Sequence, residues 1–212
     1  MTGLILTIGD KNLSSWSLRA WFLLRQAGIP FAEENIKLDQ PHTRKILNEA
    51  SPAGLVPFLT HGNVTVWDTM AIAEYLNETF PEKSLWPADP RARAFARSIS
   101  AEMHSGFSAL RTVWPMMFTR EALGHTTSGG VQRDIDRINT IWTQCRTEFG
   151  ADGPFLFGEF SIADAVYAPV VSRFVTYGPL ALSQETAAYM ETMSALPAMK
   201  EWGEGAKAEI AL

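Results

Sequence analysis

The sequence has almost no cysteine and no long hydrophobic run. One cysteine, Cys145, occurs in 212 residues, which excludes an internal disulfide framework and a CxxC redox pair. No apolar run approaches the roughly 20 residues of a membrane-spanning helix. The opening segment MTGLILTIGD lacks the basic region of a signal peptide. These absences predict a soluble protein of a reducing compartment, most simply the cytoplasm, with Cys145 as a small buried apolar residue.

Positive charge is scarce and scattered. The net charge is -5 at pH 7, with 18 basic residues against 23 acidic ones and no basic block. A surface that follows nucleic-acid phosphates needs a concentrated positive patch. We therefore expect no nucleic-acid partner and no membrane association. The length suits one large domain or two small ones, each able to bury a core.

Strand patterns occur only in the first eighty residues. The apolar runs LILTIG, IPFAEENIKL, VPFLTHG and NVTVWD alternate with the helical patterns SLRAWFLLRQAG, TRKILNEAS and TMAIAEYLNETF. They predict the order β-α-β-α-β-β-α. The first β-α-β unit predicts a parallel strand pair, and HGN predicts a tight hairpin turn between the last two strands. Residues 1–80 are therefore predicted to form an α/β domain.

The second half carries helical patterns alone. Residues 81–90, PEKSLWPADP, contain three prolines and are predicted to be a linker to an all-α domain over 91–212. RARAFARSISAEMHSGFSALRTVW predicts one long helix that ends or kinks at Pro115. GVQRDIDRINTIWTQCRTEFG predicts an amphipathic helix, and SIADAVYAPVVSRFVTYG predicts a buried one. QETAAYMETMSA and PAMKEWGEGAKAEI predict two more helices. Ser161 and Asp164 have the spacing of a capping box, which we assign to folding.

Three local segments carry a family resemblance. They are SSWS after the first strand, GLVPFL before the third strand, and GPFLFGEFSIADAVYAP in the helical half. In this order, and with this succession of elements, the chain resembles the cytosolic glutathione S-transferase family. SSWS is similar to the serine motif of the zeta class and its bacterial relatives. The resemblance implies a thioredoxin-like N-terminal domain, an all-α C-terminal bundle, glutathione as co-substrate and a homodimer.

Serines surround the start of the first predicted helix. Glutathione reacts as a thiolate, and a free thiol of this kind has a pKa of about 8.5. A hydroxyl donor and the positive end of a helix dipole both favour the anion. The resemblance places the thiolate donor at Ser14, with Ser15 in support, and Ser17 is expected in the first turn. The alternative is that all three only cap the helix. This chemistry needs no metal and no general base, so no metal is expected.

The resemblance also assigns residues to the rest of glutathione. Val56 and Pro57 are expected to be joined by a cis bond, with the Val56 backbone pairing with the cysteinyl unit like an added strand. Asp68 and Thr69 are expected to hold the γ-glutamyl carboxylate, with Thr69 as the N-cap of the third helix. The family usually has Glu-Ser or Gln-Ser there. For the glycine carboxylate, the family often places a cation or donor after the second strand, where this chain has His42, Arg44 and Lys45. We choose His42, and the alternative for each of the three is a solvated surface charge.

The segment HSGFSALRTVWPMMF lies where the family forms its second-substrate pocket. Aromatic and methionine residues at this spacing also form cores, and a surface salt bridge is the alternative for an arginine. Arg111 would suit a substrate carboxylate. The candidate pocket residues are Trp16, His104, Phe107, Arg111, Trp114 and Met117.

The leading hypothesis is a glutathione transferase that attacks a small electrophile. The first alternative is a glutathione-dependent cis–trans isomerase of a maleylacetoacetate-like compound. Trp16 stands where the zeta class commonly has cysteine, which favours the transferase. The second alternative is a non-catalytic binding or regulatory protein of the same fold, and the retained serine favours the enzyme instead.

Overall fold

A four-stranded sheet with helices forms the first part of the protein. The computed structural model describes residues 3–121, 123–124 and 128–211. The strand order is β2-β1-β3-β4, with β1 parallel to β2 and antiparallel to β3, and β3 antiparallel to β4. This confirms the predicted β-α-β-α-β-β-α order of a thioredoxin-like domain. The elements are β1 (Leu4–Ile8), α1 (Ser15–Gln26), β2 (Phe31–Asn35), α2 (Thr43–Ala50), β3 (Phe58–His61), β4 (Val64–Trp67) and α3 (Thr69–Thr79).

The sheet is most apolar where it is covered. In the central strand β1, Leu4, Leu6 and Ile8 are buried, whereas β2 at the edge is largely exposed. This gradient follows from burial, because a central strand has protein at both edges and on both faces, whereas an edge strand is in contact with water. Helix α1 covers the sheet with one side and packs against the helical half with the other. The start of α1 therefore lies between the two halves of the protein.

Helices form the second part. Among them, α7 is almost wholly buried and packs against α1, α4 and α8, which confirms the predicted central helix. Cys145 is buried in α6, as predicted. Within the part of the chain that the structure describes, each helix is too short or too polar to span a bilayer. The elements are a 3₁₀ turn (Pro81–Lys83), α4 (Pro90–Ser105), α5 (Ser108–Val113), α6 (Gly129–Phe149), α7 (Ile162–Tyr177), α8 (Gln184–Ala195) and α9 (Pro197–Ile210).

The prediction of one long helix as far as Pro115 was wrong. The chain leaves the helix at Gly106, and Phe107 takes a left-handed conformation with φ 53° before α5 begins. A Cβ atom at Gly106 would lie 2.6 Å from the Glu102 carbonyl oxygen, so glycine permits this close turn. The apolar spacing continued through the break because Phe107 and Leu110 are both buried. Pro115 follows only after α5 has ended.

The capping box at the start of α7 is present as predicted. The backbone N–H and the hydroxyl of Ser161 both donate to Asp164 Oδ2, over 2.8 and 3.0 Å. Leu156 N–H donates to the other carboxylate oxygen over 3.1 Å. Asp164 is completely buried, and burial raises the pKa of its carboxyl to about 6. The three donors are therefore what keeps a carboxylate in the core.

Replacing Ser161 with alanine is expected to lower the free energy of unfolding by about 1 kcal/mol. The substitution removes one donor to Asp164 at a buried helix start and leaves the Ser161 backbone N–H in place. Urea unfolding measures the loss, with Ser98→Ala on the exposed side of α4 as the control. Glutathione affinity of the folded variant should be unchanged, and a lost affinity without a lost stability would contradict the structural role.

Candidate active site

Two cavities meet at Trp16, between the sheet domain and the helices. The first, which we call the sheet-side cavity, has a volume of about 480 Å³. The second, which we call the arginine cavity, has a volume of about 500 Å³. Trp16 lines both of them. The sheet-side cavity is also lined by Ala53, Leu55, Val56, Pro57, Trp67, Asp68, Thr69, His104 and Ser105. The arginine cavity is also lined by Leu13, Ser15, Ser108, Arg111, Thr112, Pro115, Met116 and Arg173.

Ser14 is the N-cap of α1. Its hydroxyl accepts from the Ser17 N–H over 3.3 Å and donates to the Ser17 hydroxyl over 2.7 Å. Gly9 N–H donates to the same Ser17 hydroxyl over 3.0 Å. Ser14 is 8% exposed and, although it was predicted as the catalytic residue, it lines neither of the two cavities. The Ser15 hydroxyl makes no hydrogen bond to any residue that the structure describes, and Ser15 lines the arginine cavity.

The C-terminal helix fixes the loop that leads into α1. Trp202 Nε1 donates to the Lys11 carbonyl over 2.9 Å, and Glu209 accepts from the Lys11 N–H over 2.7 Å. The Lys11 ammonium also pairs with Glu33 of β2. These contacts join α9 and β2 to one loop, so the position of Ser14 depends on the packing of α9 against the sheet domain.

The bond between Val56 and Pro57 is cis, as predicted. It precedes β3, which pairs with β1 and β4 only from Phe58 onward. Val56 is half-buried, and none of the described residues pairs with its backbone N–H or C=O. This short backbone edge faces the sheet-side cavity, where an extended peptide can add to it as a further strand.

Asp68, rather than Thr69, caps α3, so the prediction of a Thr69 cap was wrong. Asp68 Oδ1 accepts from the Met70 N–H over 2.9 Å, and Oδ2 lies 3.2 Å from His104 Nε2. Asp68 has φ 72°, a left-handed conformation that aspartate tolerates better than most residues. Thr69 is therefore the first helical residue. It is 3% exposed, and its hydroxyl has no hydrogen-bond partner among the described residues.

Several predicted site residues lie away from both cavities. His42 is exposed at the start of α2 and lines neither cavity. Phe107 is buried at the break between α4 and α5, and the buried ring of Trp114 stacks on Tyr177. Met117 packs against the core, and its neighbour Met116 lines the arginine cavity instead. Of the predicted second-substrate residues, the structure therefore brings together Trp16, His104 and Arg111.

Two arginines beside this site were missed from the sequence. Arg19 in α1 donates from Nε to the Val166 carbonyl over 2.8 Å, and Arg173 in α7 donates from Nε to the Trp114 carbonyl over 2.8 Å. Burial lowers the pKa of Arg19 well below its usual range, and the neighbouring Arg173 and Arg111 lower it further. Burial and Arg111 likewise lower the pKa of Arg173 to about 10. The available signal was a charge inside each of two apolar helical runs, LRAWFLL and VVSRFV.

The fold therefore joins a thioredoxin-like sheet domain to an all-helical domain, and two cavities lie at the start of the first helix. Residues 13–79 match the family model of the glutathione S-transferase N-terminal domain, and residues 129–202 match that of its C-terminal domain. The chain belongs to the glutathione S-transferase family.

Curated relatives are similar over part of their length. Protein IN2-1 homolog A of Oryza sativa is 26% identical over 160 residues, which cover 75% of this chain and 61% of the relative. A probable maleylacetoacetate isomerase of Caenorhabditis elegans is 36% identical over 104 residues, which cover 49% of this chain and 47% of that protein. The chain therefore spans about half to three fifths of the length of these two relatives.

Solved structures share the fold over nearly the whole chain. Glutathione S-transferase unclassified 2 of Bombyx mori has a TM-score of 0.75 at 20% identity, covering 98% of this chain and 95% of that one. A glutathione transferase homolog from Burkholderia GL BGR1, solved with bound glutathione, has a TM-score of 0.71 at 22% identity, covering 97% of this chain and 98% of that one. At these identities the likeness shows the fold.

Proposed function

We propose that this protein is a glutathione transferase that binds glutathione in the sheet-side cavity and directs its thiolate at an electrophile in the arginine cavity. In the transfer, the sulfur forms a bond to carbon, the leaving group departs with its electron pair, and the thiol proton goes to solvent. One observation carries the proposal. Val56 and Thr69 both line the sheet-side cavity, and neither the Val56 backbone N–H and C=O nor the buried Thr69 hydroxyl has a hydrogen-bond partner among the described residues.

Two features support binding of a γ-glutamyl peptide. An extended cysteinyl unit can pair with the Val56 edge through backbone hydrogen bonds alone. A carboxylate at the start of α3 gains the Thr69 hydroxyl and the positive end of an 11-residue helix. Asp68 lies beside that position, where its negative charge would attract the amino group of the γ-glutamyl unit. His42 remains our candidate for the glycine carboxylate, reached by a movement of the exposed start of α2.

The hydrogen bonds around Ser14 support its role as thiolate donor. Its oxygen is held by the Ser17 N–H, so only the hydroxyl proton has to turn for it to donate to sulfur. When that proton turns away from Ser17, the Ser17 hydroxyl oxygen keeps a hydrogen bond, because it still accepts from the Gly9 N–H. The Ser15 hydroxyl, which has no partner among the described residues, supports the same anion from the side of the arginine cavity.

The Thr69→Val variant tests the binding site. Valine has the shape of threonine without the hydroxyl, so we expect glutathione affinity to fall by roughly tenfold, as for a lost hydrogen bond to a charged group. The free energy of unfolding should stay equal or rise, because the free protein loses a buried hydroxyl to which no described residue is hydrogen-bonded. Calorimetric titration measures the glutathione affinity, and urea unfolding measures the free energy of unfolding. Unchanged affinity would place the carboxylate elsewhere.

A direct assay tests the activity. The enzyme with glutathione and 1-chloro-2,4-dinitrobenzene should release chloride and form the aryl thioether, and the pKa of the bound thiol should lie below about 8.5, its ordinary value. The non-catalytic alternative expects an ordinary pKa for bound glutathione and no thioether. Retention on a glutathione column does not separate these two functions, so the titration decides.

The arginine cavity favours a second candidate, cis–trans isomerisation of an acidic, maleylacetoacetate-like diketone. The thiolate would add to one carbon of the double bond and move its electron pair onto the conjugated carbonyl as an enolate. After rotation, the enolate would re-form the double bond and expel the thiolate. The partial similarity to the nematode protein named as a probable isomerase supports this candidate. A diketone assay without an aryl halide separates it from transfer.

We further propose a zeta-like, cytoplasmic homodimer. The SSWS motif supports the subclass, and the single buried cysteine fits a reducing compartment. The exposed large apolar side chains of the sheet domain include Leu55, Val64 and Trp67, and these three support a subunit interface beside the sheet-side cavity. Sedimentation equilibrium tests the dimer.

A further inference from the structure

Three arginines lie in or next to the arginine cavity, and none of them has an acidic partner among the described residues. Arg111 and Arg173 line the cavity, and the Arg19 guanidinium lies over the ring of Trp16. None of the ion pairs formed among the described residues includes any of the three. Asp68 acts on Arg19 only at a distance. Its two oxygens already serve the α3 N–H groups and His104. The site therefore carries positive charge that the described part of the protein leaves unneutralised.

Each guanidinium is anchored to backbone carbonyls and retains free N–H groups. Arg111 Nη1 donates to the His104 and Gly106 carbonyls over 3.3 and 3.4 Å. Arg173, 4% exposed, donates from Nε and from Nη1, the latter to the Pro169 carbonyl over 3.1 Å. Arg19 uses Nε, while its Nη1 and Nη2 are buried without a hydrogen-bond partner among the described residues. Anchoring by carbonyls fixes the three groups without neutralising them.

Trp16 holds two of these charges together. The Arg19 guanidinium carbon lies 4.2 Å from the Trp16 ring centroid, and that of Arg111 lies 4.7 Å from it. Cation–π attraction offsets part of the repulsion, but a buried guanidinium without an anion remains costly. Leu13, Pro115 and Met116 add apolar surface to the cavity, and Ser15, Ser108 and Thr112 add hydroxyl groups. The apolar side chains and the Trp16 ring suit the carbon skeleton of an organic acid, which a hydrated inorganic anion lacks.

We propose that the arginine cavity is a carboxylate-binding site, so that the second substrate is an electrophile that carries a carboxylate. Arg111 and Arg173 would bind the carboxylate, Trp16 would contact its carbon skeleton, and the buried charge of Arg19 would raise the positive potential. The reactive half of this statement rests on the proposed transferase function. The binding half does not, because an unreactive organic acid should occupy the cavity without glutathione.

Calorimetric titration of the full-length protein tests the binding half with two matched probes, 3,5-dinitrobenzoate and 3,5-dinitrobenzamide. We expect the carboxylate to bind at least about tenfold more tightly, the value of one or two charge-assisted hydrogen bonds. Arg111→Gln should reduce this preference to about twofold or less, whereas Arg120→Gln, which changes an exposed arginine, should leave it intact. Arg173→Lys retains a positive charge and provides a second variant.

Three results would overturn the carboxylate site. They are equal binding of the acid and the amide, an unchanged preference in both Arg111→Gln and Arg173→Lys, and binding of inorganic phosphate as tight as that of the acid. The reactive half is measured with glutathione and 4-chloro-3,5-dinitrobenzoate against its methyl ester, with the acid expected to react faster relative to its uncatalysed rate. Selective binding without thioether formation would refute the transferase function and leave the carboxylate site standing.

Discussion

Replacing Ser14 with alanine is expected to lower kcat for glutathione conjugation by roughly 100-fold, the loss typical of one donor removed from a developing anion. The pKa of the bound thiol should return to about 8.5, because the sulfur loses its hydroxyl donor and retains only the helix dipole. Glutathione affinity should change little, since our proposal assigns the rest of the peptide to Val56 and Thr69. Ultraviolet titration of the thiolate and steady-state kinetics provide the two measurements.

The Ser14 variant needs two comparisons. Ser14→Ala also removes the cap of α1, so Ser14→Gly is needed as well, because glycine at an N-cap costs only a few tenths of a kcal/mol. In both variants the pKa of the bound glutathione thiol should rise by the same amount. Ser15→Ala should cause a smaller loss if Ser15 only supports the anion. If Ser15→Ala is the inactive variant and Ser14→Ala keeps both the rate and the low pKa, the donor is Ser15 and our assignment is wrong.

Replacing Asp164 with alanine is expected to lower the free energy of unfolding by about 3 kcal/mol or more, because each buried group that loses its partner costs about 1–3 kcal/mol. The three donors that lose their acceptor belong to Ser161 and Leu156. They lie at the start of α7, the helix that joins α1 to the rest of the bundle. Urea unfolding with fluorescence detection measures the loss.

Controls separate this effect from loss of charge. Asp164→Asn keeps one carbonyl oxygen as an acceptor, so its loss should be smaller than that of the alanine variant. Asp136→Ala changes an exposed carboxylate of α6 that is bonded to Gln132, and it should cost less than about 0.5 kcal/mol. Equal stability of the Asp164 and Asp136 variants would show that the capping box does not stabilise the helix start.

The buried charges of this protein fall into two kinds with different consequences. Asp164 is surrounded by donors that serve folding, and its removal is expected to destabilise the core. The guanidinium groups of Arg111 and Arg173 are held by carbonyls, and the described residues that line their cavity include no acid. A change at Arg111 should therefore alter ligand preference before it alters stability. Comparing the two kinds of variant in one unfolding series distinguishes a structural charge from a binding one.

The sequence by itself determined the elements and their order. Apolar alternation, helical spacing and capping residues act within a few neighbours, so they predicted the strands, most helix ends and the Ser161–Asp164 capping box. The motif order predicted the family. The cis bond before Pro57 was predicted from the resemblance, and propensity alone would not have chosen it.

Only the tertiary structure decided the helix break at Gly106, the residue that caps α3 and the residues that line the arginine cavity. The break depends on how closely Gly106 approaches the Glu102 carbonyl, and apolar spacing does not report that distance. The arginine cavity is built from α1, α5 and α7, where Arg19, Arg111 and Arg173 are far apart in the chain. Their common feature is that none of them forms an ion pair with an acid in the part of the chain that the structure describes, and the pairing of distant charges is decided by packing.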